Sequence, residues 1–261
     1  MRIQPFELER FQSVYEHAVA VNLSESGVEP LRLQELLEAR DLEGVLGIEL
    51  AYSQTNGTSE LRAAIADLHP GATLDHIEVT NGGAEANFLV CWSLVEPGDD
   101  VVVMHPNYLQ THLLAETFGA TVRPWRLREE PSRWTADLDA LRALVGDRTK
   151  LVVICNPNNP TGARLSADEV EGICEIAGRH GAWVLADEIY RGAELDGVTT
   201  ASAWGCYERV IVTGGLSKAY GLPGVRIGWL VGPPERIETL WAHHDYTTIA
   251  PSAVGDHLAR L

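Results

Sequence analysis

The chain has 261 residues, 45% of them hydrophobic and 22% charged, and a formal net charge of −17. That is enough apolar material for one large domain, or one domain with a small appendage. The acidic balance argues against nucleic acid or an anionic membrane as a partner. Four cysteines (Cys91, Cys155, Cys174, Cys206) show neither a CxxC pair nor metal-ligand spacing, so no metal site is expected. No basic leader precedes an apolar stretch and no apolar run reaches bilayer length, which together point to a reduced, cytoplasmic protein.

The apolar spacing of residues 6–19 predicts a helix, and residues 31–39 a second one, with a loop over 22–27 between them. Thr58 is placed to cap a helix over 59–68. From about residue 76 the pattern becomes strand, loop, helix, repeated. Apolar β-rich runs fall at 77–79, 101–104, 151–154, 183–186, 210–213 and 229–231. Helical stretches at 84–95, 111–118, 138–144 and 167–180 separate most of them, and a helical stretch over 253–261 ends the chain. This alternation predicts an α/β fold, a mainly parallel sheet with helices on both faces. The run 229–231 follows 210–213 with no helix between, so an antiparallel neighbour is expected there.

Polar clusters come straight after five of the apolar runs: residues 80–83, 105–108, 156–162, 187–190 and 214–218. Ligands of open α/β sheets bind outside the carboxyl ends of the strands, so these clusters are candidates to converge on one ligand. Gly82, Gly83, Ala84 and Glu85 join a strand to a helix, either as a tight turn or as an anion site on free helix N–H groups. The six-residue dinucleotide-binding glycine pattern and the P-loop pattern are both absent. Asp187 ends a very apolar strand and needs a partner, either Arg191, a helix start or a protonated heterocyclic nitrogen. The segment Asn156-Pro157-Asn158-Asn159-Pro160-Thr161-Gly162 restricts its backbone at two Asn-Pro steps, one of them a candidate for a cis bond.

Lys218 is one of only two lysines among the 20 basic residues, the other being Lys150. Arginine stays protonated in proteins; lysine can lose its proton when desolvated and form an imine with a carbonyl. Arg226 follows eight residues later, beyond a Gly-Leu-Pro-Gly bend, where it can return to supply a two-pronged phosphate contact or make a surface ion pair.

Together these pieces make the chain resemble the class I/II aminotransferases, pyridoxal-phosphate enzymes of fold type I. The matching segments are Asn159-Pro160-Thr161-Gly162, Asp187-Glu188-Ile189-Tyr190, and Ser217-Lys218 with Arg226, Gly228 and Trp229. Tyr52, Gly57 and Leu61-Arg62 match a further element upstream. The resemblance implies a sheet of the seven-stranded type in a cofactor-binding large domain over 46–261, with residues 1–45 belonging to the small domain and dimer arm. It implies pyridoxal 5′-phosphate as cofactor, an amino acid and a 2-oxo acid as substrates, and a homodimer.

By the same resemblance Lys218 carries the internal aldimine and moves the substrate proton, while Asp187 faces the pyridinium nitrogen. Asn159 and Tyr190 bond the phenolate oxygen and Tyr108 stacks on the ring. Gly83, Ala84 and Glu85 (through their backbone), Ser217 and Arg226 hold the phosphate, and Tyr52 reaches the phosphate of the neighbouring subunit.

Two features depart from the family. Gly215 stands where a serine or threonine usually touches the phosphate, a loss of about 1–2 kcal/mol if nothing replaces it. Family members also continue well past the position of Leu261, so most of the small domain and the arginine for the substrate α-carboxylate are expected to be missing. Rival readings keep the cofactor but change the reaction to β-elimination, decarboxylation or a capreomycidine-synthase-like cyclisation, or make the chain a catalytically incompetent cofactor-binding fragment.

Overall fold

The computed structural model describes residues 3–261. Its chain runs α1 (Glu7–Tyr15), α2 (Leu33–Leu36), α3 (Asp41–Leu46), α4 (Ser59–Asp67), β1 (Ile77–Thr80), α5 (Gly83–Leu94), β2 (Asp100–His105), α6 (Gln110–Thr117) and β3 (Thr121–Arg126). It continues β4 (Arg128–Glu129), β5 (Trp134–Thr135), α7 (Leu138–Leu144), β6 (Thr149–Cys155), α8 (Ala167–Arg179), β7 (Trp183–Asp187), β8 (Val210–Gly215), β9 (Gly228–Val231), α9 (Pro234–His244) and α10 (Ala253–Ala259).

Seven strands form one sheet in the order β1-β9-β8-β7-β6-β2-β3. Only β9 runs against the others, pairing antiparallel with both β1 and β8. The expected reversal at 229–231 is therefore present, and the sheet is mainly parallel as predicted.

The strands read as unbroken apolar runs because both faces are covered. Val102, Met104, Val152, Ile154, Val184, Ala186 and Val212 pack in one core with residues of α4, α7 and α8. The alternate residues Val101, Val103, Leu151, Val153, Leu185 and Ile211 pack in the other with α5 and α9. Period-two alternation thus divides each strand between two cores rather than between core and water.

Thr58 caps α4 as expected, its hydroxyl accepting from the Leu61 N–H. The helix expected over 6–19 is shortened to Glu7–Tyr15, and that over 31–39 to Leu33–Leu36. None of α1, α2 and α3 has a buried residue, so little tertiary packing extends them. The edge strand β3 has no counterpart in the prediction. Pro124 and two arginines disguise it, and proline is tolerated there because an edge strand need not donate on its outer side.

Candidate active site

The carboxyl ends of β1, β2, β6, β7 and β8 open on one cavity of about 460 Å³. Its lining includes Gly83, Ala84, Tyr108, Asn159, Asp187, Tyr190, Ser217, Lys218 and Arg226, so nine of the residues expected from the sequence converge there. Glu85 and Tyr52 do not line it. Glu85 turns its carboxylate behind the helix start and its N–H onto the Gly82 carbonyl at 3.2 Å. Tyr52 is 80% exposed.

At one end of the cavity the backbone offers donors. Gly82 has φ 92°, a left-handed conformation that glycine adopts without strain, and it launches α5. The N–H groups of Gly83 and Ala84 find no acceptor among the described residues. A side chain at Gly82 would run into the Arg226 guanidinium, and one at Gly228 into the Gly82 and Gly83 backbone. Arg226 itself sits in the left-handed region at φ 57°, a strain of about 1–3 kcal/mol that surrounding structure must hold. Its Nη1 donates to the Pro223 carbonyl at 3.0 Å and lies 3.5 Å from Ser217 Oγ, and its Nη2 donates to the Asn81 carbonyl at 3.3 Å. Two free N–H groups, a hydroxyl and a guanidinium at a helix start make an anion cradle.

Gly215 has a steric reason. A Cβ there would lie 2.9 Å from Ile189 Cδ1, 3.1 Å from the Ile227 carbonyl oxygen and 3.2 Å from Gly228 Cα. The β8–β9 pairing leaves no room for the hydroxyl side chain usual at this place.

Asp187 ends β7 deep in the cavity. Burial pushes its carboxyl above the ordinary aspartate range, while hydrogen bonds from Asn87 and the Ile189 N–H pull it back. Asn87 Nδ2 donates to Oδ2 at 2.9 Å, and Asn87 Oδ1 accepts from the Thr213 hydroxyl at 2.9 Å. Sequence reasoning missed Asn87; the signal was an asparagine inside the otherwise apolar stretch of α5.

The Tyr190 phenol, pushed up to about 12 by burial, remains a donor at neutral pH and lies 2.7 Å from Ser26 Oγ. Burial and the Glu9 carboxylate likewise raise Tyr108, whose hydroxyl donates to Glu9 Oε1 at 2.6 Å. Pro157 and Pro160 both follow cis bonds, where the sequence suggested one.

Lys218 stands on a turn closed by the Leu222 N–H to the Leu216 carbonyl at 3.0 Å. Its Nζ donates to Glu25 Oε1 at 2.8 Å. The same oxygen accepts from the Gly27 N–H at 2.7 Å and the Ser26 N–H at 2.9 Å. The loop after α1 therefore folds over the lysine, a long-range contact invisible in the sequence pattern. Glu25 is held below the ordinary glutamate range, first by Lys218.

An amine, a buried carboxylate and an anion cradle around one cavity agree with what the sequence matches. The profile of the family Aminotransferase class I and II matches residues 20–259. The chain belongs to the class I and II aminotransferase family. Among its relatives, capreomycidine synthase of Streptomyces vinaceus is 36% identical over 78% of this chain and 52% of that protein. The arginine–pyruvate transaminase of Pseudomonas aeruginosa is 31% identical over 74% and 50%. A crystal structure of a PLP-dependent aminotransferase from Streptococcus suis superposes with a TM-score of 0.92 at 33% identity, covering 100% of this chain and 70% of that one. The chain spans about half the length of these curated relatives.

Proposed function

We propose that the chain binds pyridoxal 5′-phosphate and transfers an amino group from an amino acid to a 2-oxo acid. The observation that carries this reading is the shared lining of Lys218, Asp187 and the Gly83–Ala84–Ser217–Arg226 cradle on one cavity. A 460 Å³ cavity is of the size that holds a cofactor. When bound, the cofactor supplies an electron sink for the carbanion formed at the substrate carbon.

The protein's own residues do the rest. Gly83 and Ala84 N–H, Ser217 and Arg226 bind the phosphate and fix the cofactor's position. The Asp187 carboxylate would accept from the ring N–H and keep that nitrogen protonated, its ionised form favoured by the hydrogen bond from Asn87. Tyr190 and Asn159 donate to the ring oxygen, and Tyr108 covers the ring. Lys218 Nζ would anchor the cofactor, and its free amine would move the proton at the substrate Cα. It reaches that role only after leaving Glu25.

The apolar side chains of Leu42, Leu46, Leu50 and Tyr52 are 50%, 87%, 84% and 80% exposed. Such a surface fits a partner subunit, and a homodimer belongs to this reading. The carboxylates of Glu9, which lines the cavity, and of Glu25, which meets Lys218 there, favour a cationic donor side chain, in keeping with the likeness to an arginine–pyruvate transaminase. The likeness to capreomycidine synthase makes a cyclisation the second reading.

The test is the visible spectrum of the protein with pyridoxal phosphate beside Lys218→Ala, followed by amino-donor screening. A visible band that borohydride removes, absent in the variant, is expected. Formation of a 2-oxo acid with an equal amount of new amino acid separates transamination from cyclisation. Well-folded protein without the band would refute the reading.

A further inference from the structure

His244, at the end of α9, has no exposed surface and both ring nitrogens engaged. Nδ1 lies 2.7 Å from Glu78 Oε1, on the equally buried Glu78 of β1. Nε2 lies 2.9 Å from Thr248 Oγ1 and 3.3 Å from Glu85 Oε2. Ionised carboxylates only accept, and the Thr248 hydroxyl donates its own proton to Glu85 Oε1 at 2.8 Å. Nε2 must therefore donate, and with Glu78 ionised Nδ1 donates as well, which makes the ring an imidazolium shared by two carboxylates.

Glu85 is where this network meets the anion cradle. Its Oε2 accepts the Asn81 N–H at 2.7 Å, and its Oε1 accepts the Thr247 hydroxyl at 2.7 Å. Asn81 Nδ2 donates to Thr248 Oγ1 at 2.7 Å, and the Asn81 carbonyl accepts from Arg226. The turn of residues 81–84 is thus held from behind by α9 and the loop after it, while its N–H groups face the cavity. Charge matters as well as shape. A lone Glu85 carboxylate in the first turn of α5 would repel an anion at the same helix end; the imidazolium offsets it. Burial pushes Glu78 up to about 7, while His244 and the charge of Arg62 on α4 favour its ionised form.

We propose that His244 is a positioning residue for the phosphate-binding turn, holding and neutralising Glu85 so that Gly83 and Ala84 present their N–H groups to the cofactor phosphate. This rests on the cofactor reading above and adds to it a residue on a distant helix.

The experiment is equilibrium titration of the full chain with pyridoxal 5′-phosphate and, separately, with pyridoxal, which lacks the phosphate. His244→Gln is expected to weaken pyridoxal phosphate roughly tenfold or more and pyridoxal less than about twofold, as loss of a charge-assisted phosphate contact would. Thr248→Val, which leaves the His244–Glu78 pair intact, is expected to show the same phosphate-selective loss at roughly threefold. This second variant serves if circular dichroism finds His244→Gln unfolded. Equal weakening of both aldehydes, or unchanged phosphate selectivity, in a folded variant overturns the proposal. Wild-type protein that binds neither aldehyde overturns the cofactor reading itself, and this inference with it.

Discussion

Gly215→Ser restores the hydroxyl that the family usually places three residues before the lysine, and it is expected to harm this chain. The new Cβ would sit 3.1 Å from the Ile227 carbonyl oxygen and 3.2 Å from Gly228 Cα. Both are backbone atoms of a tightly paired segment: Gly215 opposes Gly228 in the sheet, and the Leu216 N–H donates to that same Ile227 carbonyl at 3.0 Å. The third contact, Ile189 Cδ1 at 2.9 Å, is the tip of a side chain and can yield. Relief must come from separating β8 and β9, and overpacking of this kind costs about 1–3 kcal/mol. For a chain of this size that is a fall in Tm of roughly 2–10 °C. The most a new phosphate hydrogen bond could return is about 1–2 kcal/mol, and only with cofactor bound. Thermal unfolding by circular dichroism, with and without pyridoxal phosphate, reads both terms. Gly146→Ala, where a Cβ meets nothing within 4 Å, is the control and is expected to stay within about 0.5 kcal/mol. A Gly215→Ser protein with unchanged Tm and tighter cofactor binding would refute the steric argument.

Asn87→Ala removes a donor from a carboxylate whose ionisation burial already disfavours. Raising that folded-state pKa further costs nothing where Asp187 is protonated in both states and most where it is ionised in both. The variant should therefore lose about 1.5–3 kcal/mol at pH 8 and less at pH 4, measured by urea unfolding. His244, raised to about 9 by its two carboxylates, keeps its proton in the fold after the unfolded chain has lost it near 6.5. Its contribution is complete below 6.5 and disappears as pH rises through 9, a slope near 1.4 kcal/mol per pH unit; Glu78, raised to about 7 by burial, adds a slope of the same sign below 7, so the His244 limb is read above pH 7. His244→Gln should flatten that limb of the stability profile; an unchanged slope would count against an imidazolium. Glu25→Gln frees Lys218 from a partly exposed ion pair, so the visible band on mixing with pyridoxal phosphate should appear about 1.5–5 times faster. Stopped-flow absorbance reads the rate, and a slower rate would make Glu25 an aid rather than a brake.

What could be read from the sequence follows from what each feature depends on. The strands β2, β6, β7 and β8 were legible because cover on both faces leaves them continuously apolar. Lys218, Asp187 and Asn159 were legible because they lie at the end of such strands or within a few residues of it, where an α/β sheet delivers its loops. The edge strand β3 was not, since Pro124 and its arginines carry no periodic signal. The supporting contacts were not legible either. Asn87 meets Asp187 across 100 positions, Glu78 meets His244 across 166 and Glu25 meets Lys218 across 193. No local pattern encodes such pairs. The adjacent histidines carry no signal of their different surroundings: His244 is fully buried between carboxylates and His243 stacks edge-on against Trp92.

The site is built unevenly, and the unevenness fits what each end must do. At the cradle end the backbone is interlocked: Gly228 packs so closely on the Gly82 and Gly83 backbone that it admits no side chain, and Arg226 is held in a strained conformation beside them. Strain is retained only where the surroundings over-determine it, so this end is preorganised and a bound anion need not order it. At the other end, Lys218, Tyr190 and Tyr108 are covered by Glu25, Ser26 and Glu9, from a segment whose helices bury nothing. Elements with few buried apolar contacts open at the lowest cost in free energy. On the proposed function, a fixed cofactor end and a loosely covered amine end would suit the exchange of two small substrates over one retained cofactor.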